Sequence, residues 1–107
     1  MTKIQNLKNG IKFIPVPIKG TKAITVLTLF PVGSRFETKN ISGISHFVEH
    51  LMFKGTKKRP TYLEISRELD AVGAEYNAFT SKDYTGYYVK INIHINKLQI
   101  PHFFFRC

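Results

Sequence analysis

The sequence predicts an α+β fold in which helices pack on one face of a mainly antiparallel sheet. The segments alternate in type along the chain, in the order strand, strand, strand, helix, helix, strand, strand. Asn9-Gly10 is a strong signal for a hairpin turn between the first two strands, and apolar and polar residues alternate near the end of the chain. With 107 residues, 43% of them hydrophobic, the chain is long enough for one small domain with a core.

Three strands are expected before the first helix. The hairpin joins segments 4–7 and 11–16. Segment 23–32 is apolar at successive positions, so both faces carry apolar side chains. This pattern predicts a central strand that is covered on both sides.

The two expected helices differ in how they begin. Ser42 is a candidate cap for a helix over 43–53. Thr61 and Glu64 form a capping box at the start of the second helix, which Gly73 ends. Strands over 74–80 and 84–93 then follow, and the second alternates so that Tyr87, Val89, Ile91 and Ile93 share a face.

The first helix has two chemically distinct faces. At 100° per residue, His50 lies about 40° to one side of His46 and Glu49 about 60° to the other. The opposite side is apolar and is the expected core face, formed by Ile44, Phe47, Val48, Leu51 and Met52.

Two histidines four residues apart on a helix can converge on one zinc ion. Glu49 lies at the edge of this arc, where it can serve as general base for a metal-activated water. This spacing is the inverted zinc-peptidase motif H-x-x-E-H, His46 to His50. The alternative is that these three side chains are the solvated face of an amphipathic helix.

The segment 43–56, GISHFVEHLMFKGT, resembles the active-site helix of the pitrilysin family of zinc metallopeptidases. Further similarities follow in order, from about residue 4 to about residue 100: Gly33-Ser34-Arg35, the 57–60 loop, Ala71-Val72-Gly73, Asn77-Ala78-Phe79-Thr80-Ser81 and Tyr87-Tyr88. The resemblance implies that His46 and His50 bind Zn²⁺ and that Glu49 is the general base. It also implies a strand that holds the substrate backbone, through Asn77, Ala78 and Phe79.

Phe53 falls near −20° on the helix, on the same side as the histidines. It is therefore a candidate wall of a substrate side-chain pocket. An aromatic residue packed under a loop is the open alternative.

A catalytic zinc site usually has three protein ligands. The resemblance places the third on a later helix, beyond residue 107. None of the carboxylates present matches that position, and they are expected to be surface or capping groups: Glu37, Glu64, Glu68, Asp70, Glu75 and Asp83. We therefore expect residues 1–107 to form the N-terminal part of a single, incomplete metallopeptidase domain. Residues 101–107, PHFFFRC, are atypical and suggest a truncation or frameshift.

These features predict a zinc-dependent metalloendopeptidase that acts on peptides or unfolded polypeptides and is inactive as this fragment. The alternative is a non-catalytic peptide-binding or partner subunit, and a homologous second domain or subunit is expected. The net charge of +9 is scattered along the chain, which favours a solvated surface over nucleic-acid binding. No signal-like or membrane-length apolar run is present and Cys107 is the single cysteine, so a cytoplasmic location without membrane partners is expected.

Overall fold

A computed structural model describes residues 3–92. The expected order of strands and helices is confirmed: β1 Gln5–Asn6, β2 Lys12–Phe13, β3 Ala23–Phe30, two single-turn 3-10 helices at Ser34–Phe36 and Lys39–Ile41, α1 Ile44–Leu51, α2 Tyr62–Ala71, β4 Glu75–Thr80 and β5 Thr85–Asn92. The atypical tail 101–107 lies outside the described residues. Between residues 3 and 92, no helix is both long and apolar enough to cross a membrane.

The main sheet has three antiparallel strands in the order β3-β5-β4. Val89 on β5 lies opposite both Val26 and Tyr76, so β5 is the central strand. The expectation that segment 23–32 is the central, fully covered strand is wrong for the part of the chain described. β3 lies at the edge, with Leu27 and Leu29 about half exposed. An apolar run reports a tendency to be buried, but it does not determine which neighbours pair with the strand.

The Asn9-Gly10 hairpin is present, although each of its strands has only two residues. Gly10 adopts a φ of 83°, in the left-handed region that glycine enters without a steric penalty. The Asn9 side chain accepts a hydrogen bond from the Ile11 N–H at 3.2 Å. This small ladder forms a separate sheet from the three-stranded one.

Both helices lie on the same face of the sheet, as the sequence predicts. α2 supplies the centre of the core through Ile65 and Leu69, which are almost completely buried and pack with Val89 of β5. The predicted capping box is confirmed: the Thr61 hydroxyl accepts from the Glu64 N–H, and the Glu64 carboxylate accepts from the Thr61 N–H. These two bonds satisfy backbone donors that a helix start leaves unpaired.

α1 begins differently from the prediction. Gly43, with a φ of 89°, precedes the helix, and Ser42 makes no capping bond. The carboxylate of Glu37 takes that place, because it accepts from Gly43 N–H at 2.6 Å and from Ser45 N–H at 2.9 Å. These bonds hold the pKa of Glu37 below its ordinary value, since they stabilise the ionised carboxylate.

The apolar face of α1 is also not the packed core that its periodicity predicts. All five of its apolar residues are at least 36% exposed: Ile44, Phe47, Val48, Leu51 and Met52. Ile44, Val48 and Met52 border an apolar cavity of about 500 Å³ that Phe30 and Tyr87 line from the sheet. No side chain from residues 3–92 fills this space, whereas α2 already covers the neighbouring part of the sheet.

Candidate active site

The two histidines of the motif face each other on α1. Their Nε2 atoms are 2.9 Å apart, and their ring centroids are separated by 4.6 Å. Both side chains are exposed to solvent. The helix thus brings His46 and His50 together as the i, i+4 spacing predicts.

Glu49 is held against the sheet rather than in open solvent. Its Oε2 accepts a hydrogen bond from the hydroxyl of Thr80, at the end of β4. The carboxylate is partly buried, in contrast to the histidines on either side of it. One carboxylate oxygen is therefore fixed by the strand, which restricts the rotamers available to Glu49.

The donor set fits zinc in part. Zinc–imidazole bonds of about 2.0–2.1 Å allow one ion to contact both Nε2 atoms across their 2.9 Å separation. Imidazole is also a preferred zinc donor. Within residues 3–92, however, no cluster of three or more histidine, cysteine or carboxylate side chains is placed to hold a metal ion. The described part of the chain therefore brings together two imidazoles, a donor type that zinc prefers.

Strand β4 carries the residues expected to hold a substrate backbone. Among the described strands it pairs with β5 alone, so its other edge has no neighbouring strand. The backbone N–H of Ala78 donates to the Asn77 side chain at 2.8 Å. Phe79 lies across Gly86 of β5, where a Cβ would overlap its ring, on the face of the sheet opposite α1. The structure thus places these residues on an open strand edge beside α1.

Phe53 lies just beyond the end of α1 and packs on the sheet. Its ring centroid is 6.4 Å from that of Tyr76 and 6.2 Å from that of Tyr87. These distances are typical of aromatic packing. These contacts fit the alternative, in which Phe53 is an aromatic residue packed within the fold. The role of Phe53 as a wall of a substrate pocket stays a prediction.

Two residues of this region were not singled out from the sequence. Thr80 contacts Glu49 across 31 positions of the chain, and Glu37 reaches Gly43 and Ser45 across six and eight. The sequence indicated these two residues only indirectly. Thr80 falls within the Asn77-Ala78-Phe79-Thr80-Ser81 similarity, and Glu37 was one of several carboxylates expected to cap or lie at the surface.

The family follows from comparison with known proteins. The sequence model of insulinase, peptidase family M16, matches residues 17–96. This match covers most of the chain, and the chain belongs to that family of peptidases.

Individual relatives agree with this assignment. An uncharacterized zinc protease of Streptomyces coelicolor is 44% identical over 85 residues, which are 79% of this chain and 18% of that protein. The mitochondrial-processing peptidase subunit beta of Dictyostelium discoideum is 42% identical over 84% of this chain and 19% of its own length. A protease from Helicobacter pylori has a similar structure, with a TM-score of 0.80 and 40% identity over 87% of this chain and 22% of that one. This chain therefore spans about a fifth of the length of the relatives it matches.

Proposed function

We propose that this chain carries the histidine-bearing half of the active site of a zinc metalloendopeptidase. The observation that carries the proposal is the arrangement on α1, where two facing imidazoles lie next to a carboxylate that the sheet holds in place. Names of relatives that include "zinc protease" support the choice of metal. A third ligand outside residues 3–92 would complete the site, so residues 3–92 alone are expected to be inactive.

In this proposal each side chain of the motif has a separate task. His46 and His50 hold the ion through Nε2. Bound zinc would supply a Lewis acid that polarises the substrate carbonyl and lowers the pKa of water. Glu49 accepts the proton of the attacking water and then passes it to the leaving amine. Because Thr80 occupies one Glu49 oxygen, proton acceptance falls to the other oxygen.

The substrate would bind as an added strand on the open edge of β4. Main-chain hydrogen bonds provide such binding with little dependence on sequence, which suits peptides or unfolded segments. In the peptide-free chain, the Ala78 N–H donates a hydrogen bond to the Asn77 side chain. A substrate carbonyl that accepts from the Ala78 N–H would have to replace that bond. Phe53 and Phe79 are the candidate contacts for substrate side chains.

The catalytic proposal can be tested in a chimera. Residues 3–92 would replace the matching segment of the Helicobacter pylori protease, which supplies the rest of a structurally similar chain. We expect the chimera to cleave an unfolded polypeptide. Glu49→Gln should abolish cleavage but leave zinc binding intact, because a neutral amide cannot accept the proton.

A matched control separates the base from other carboxylates. Glu75→Gln changes a carboxylate on β4 that pairs with the exposed Lys90, and it should leave the chimera active. Undiminished cleavage by the Glu49→Gln chimera would show that Glu49 is not the base.

A second candidate function is that of a partner subunit without activity of its own. Relatives named as subunit beta of the mitochondrial-processing peptidase favour this alternative. It predicts that the chimera folds and binds peptide but cleaves nothing, with or without Glu49. A cytoplasmic location remains a prediction, which fractionation of the cells that express the chain would test.

A further inference from the structure

The first turn of α1 is held by a side chain that lies outside the helix. Gly43 precedes the helix and has no side chain with which to cap it. Glu37 supplies the missing acceptor through its two bonds to Gly43 N–H and Ser45 N–H. An ionised carboxylate here also interacts favourably with the positive end of the helix dipole. The start of α1 is therefore determined by the position of Glu37.

Glu37 is in turn fixed to the connection between β4 and β5. The single-turn helix just before it is anchored there by three contacts: Ser34 N–H to Ser81 O at 3.2 Å, Arg35 N–H to Lys82 O at 2.9 Å, and Arg35 Nε to Asp83 Oδ1 at 2.9 Å. Gly33 lies so close to the backbone at Ser81 and Lys82 that a Cβ would overlap it. A continuous path of contacts therefore runs from the sheet to the first turn of α1.

This path matters because of where the histidines lie in the helix. α1 has eight residues and no buried side chain, and a helix this short is only marginally stable by itself. His46 is the third residue of α1 and lies in its first turn, whereas His50 lies in its last turn, and helix ends are where fraying occurs. Fraying of the first turn would separate the two Nε2 atoms and leave one ligand instead of two.

We propose that Glu37 is a positioning residue for the metal site, which keeps His46 opposite His50 by fixing the first turn of α1 to the β4–β5 connection. This inference rests on the proposed zinc-binding function. It assigns to Glu37 no contact with metal or substrate. Its effect is carried through Ser45, the residue next to His46.

The first part of the test needs no metal. In the 107-residue chain, Glu37→Gln removes the charge and one acceptor oxygen with little change in shape. We expect amide hydrogen exchange at Ser45 and His46 to accelerate on the order of fivefold, the size of effect usual for loss of a helix cap. Exchange in the core strand β5 should change less, which shows that the chain remains folded.

Glu64→Gln is the matched control variant. Glu64 is also a carboxylate that accepts a backbone N–H at a helix start, but its helix bears no histidine. Glutamine can still accept this bond in a capping box, so exchange at the start of α2 should change little, and exchange at Ser45 and His46 should be unchanged.

The second part measures zinc binding in the same three proteins, by competition with a chromogenic chelator and by the imidazole NMR resonances. We expect Glu37→Gln to weaken zinc binding on the order of fivefold, with His46 resonances requiring more zinc than those of His50. Glu64→Gln should bind zinc as the unchanged chain does. If the substitution instead disordered the whole of α1, the resonances of His46 and His50 would shift to higher zinc concentrations by the same amount.

The outcomes distinguish the two proposals. Unchanged exchange at Ser45 and His46 in Glu37→Gln overturns the positioning role, whatever the zinc data. Faster exchange with unchanged zinc affinity also overturns it, since Glu37 would then be structural only. If the unchanged chain binds no zinc although exchange shows α1 to be ordered, the proposed zinc function fails instead, and with it the metal-related purpose of Glu37.

Discussion

The two α-helices within residues 3–92 are similar in length and lie on the same face of the sheet, but they are stabilised in opposite ways. α2 is capped by its own residues, Thr61 and Glu64, and it buries Ile65 and Leu69. α1 buries none of its residues and is capped by Glu37, which lies outside the helix. The helix that forms the core, α2, is thus not the helix that carries the candidate catalytic residues, α1. α1 therefore depends on contacts with residues distant in the sequence, and four experiments test this difference between the helices.

The largest contrast is expected from truncating one leucine in each helix. Leu69→Ala removes a nearly fully buried side chain and should lower the free energy of unfolding by about 2–5 kcal/mol. Leu51→Ala truncates a side chain that is 47% exposed and should change it by about 0.5 kcal/mol or less. Urea unfolding followed by circular dichroism measures both. Equal losses would mean that the α1 face is packed in solution.

The next prediction concerns the contact of Gly33 with the β4–β5 connection, which supports the first turn of α1. Gly33→Ala places a Cβ against the backbone of Ser81 and Lys82, and overpacking of this kind costs about 1–3 kcal/mol. The backbone must shift, so amide exchange in the first turn of α1 should accelerate as well. Ser34→Ala, which keeps the backbone bond to Ser81, is the control. A stable Gly33→Ala variant with an unaltered α1 would disprove the supporting contact.

The caps can be compared directly with two hydroxyl deletions. Thr61→Ala removes the capping bond at the start of α2 and should cost about 1 kcal/mol. Ser42→Ala removes a hydroxyl that makes no capping bond to α1 and should cost almost nothing. Thermal or urea unfolding of the two variants measures the difference. A loss at Ser42 similar to that at Thr61 would restore the cap that the sequence predicts.

The smallest expected effect is a dependence on pH. Hydrogen bonds from the backbone at Gly43 and Ser45 hold the pKa of Glu37 below its ordinary value of 4.5. A lowered folded-state pKa contributes stability that is present above the unfolded-state pKa and is lost as the pH falls through the folded-state value. The difference in the free energy of unfolding between the unchanged chain and Glu37→Gln should therefore be largest at neutral pH. It should shrink below about pH 4.5. Leu51→Ala, which removes no titratable group, should show a constant difference across that range.

Much of the fold could be predicted because its signals are local. The hairpin at Asn9-Gly10 and the capping box at Thr61 each lie within four residues. The shared face of His46 and His50 follows from the helical repeat alone, and the structure brings these side chains to 2.9 Å. Within residues 3–92, β3 is an edge strand and not the expected central one, because an apolar pattern indicates burial and leaves strand order open. The assignment of the substrate-binding residues stays a prediction, since backbone contacts leave little trace in side-chain identity.

The sequence by itself determined the order of the elements, the capping of α2, and the common face of the two histidines and Glu49. Only long-range contacts in the folded chain showed which carboxylate caps α1 and which hydroxyl restrains the candidate base. The physical reason is the separation along the chain. A helical turn or a capping box is closed by neighbours three or four residues apart, whereas Thr80 meets Glu49 across 31 positions. Only the folded sheet brings those two residues together.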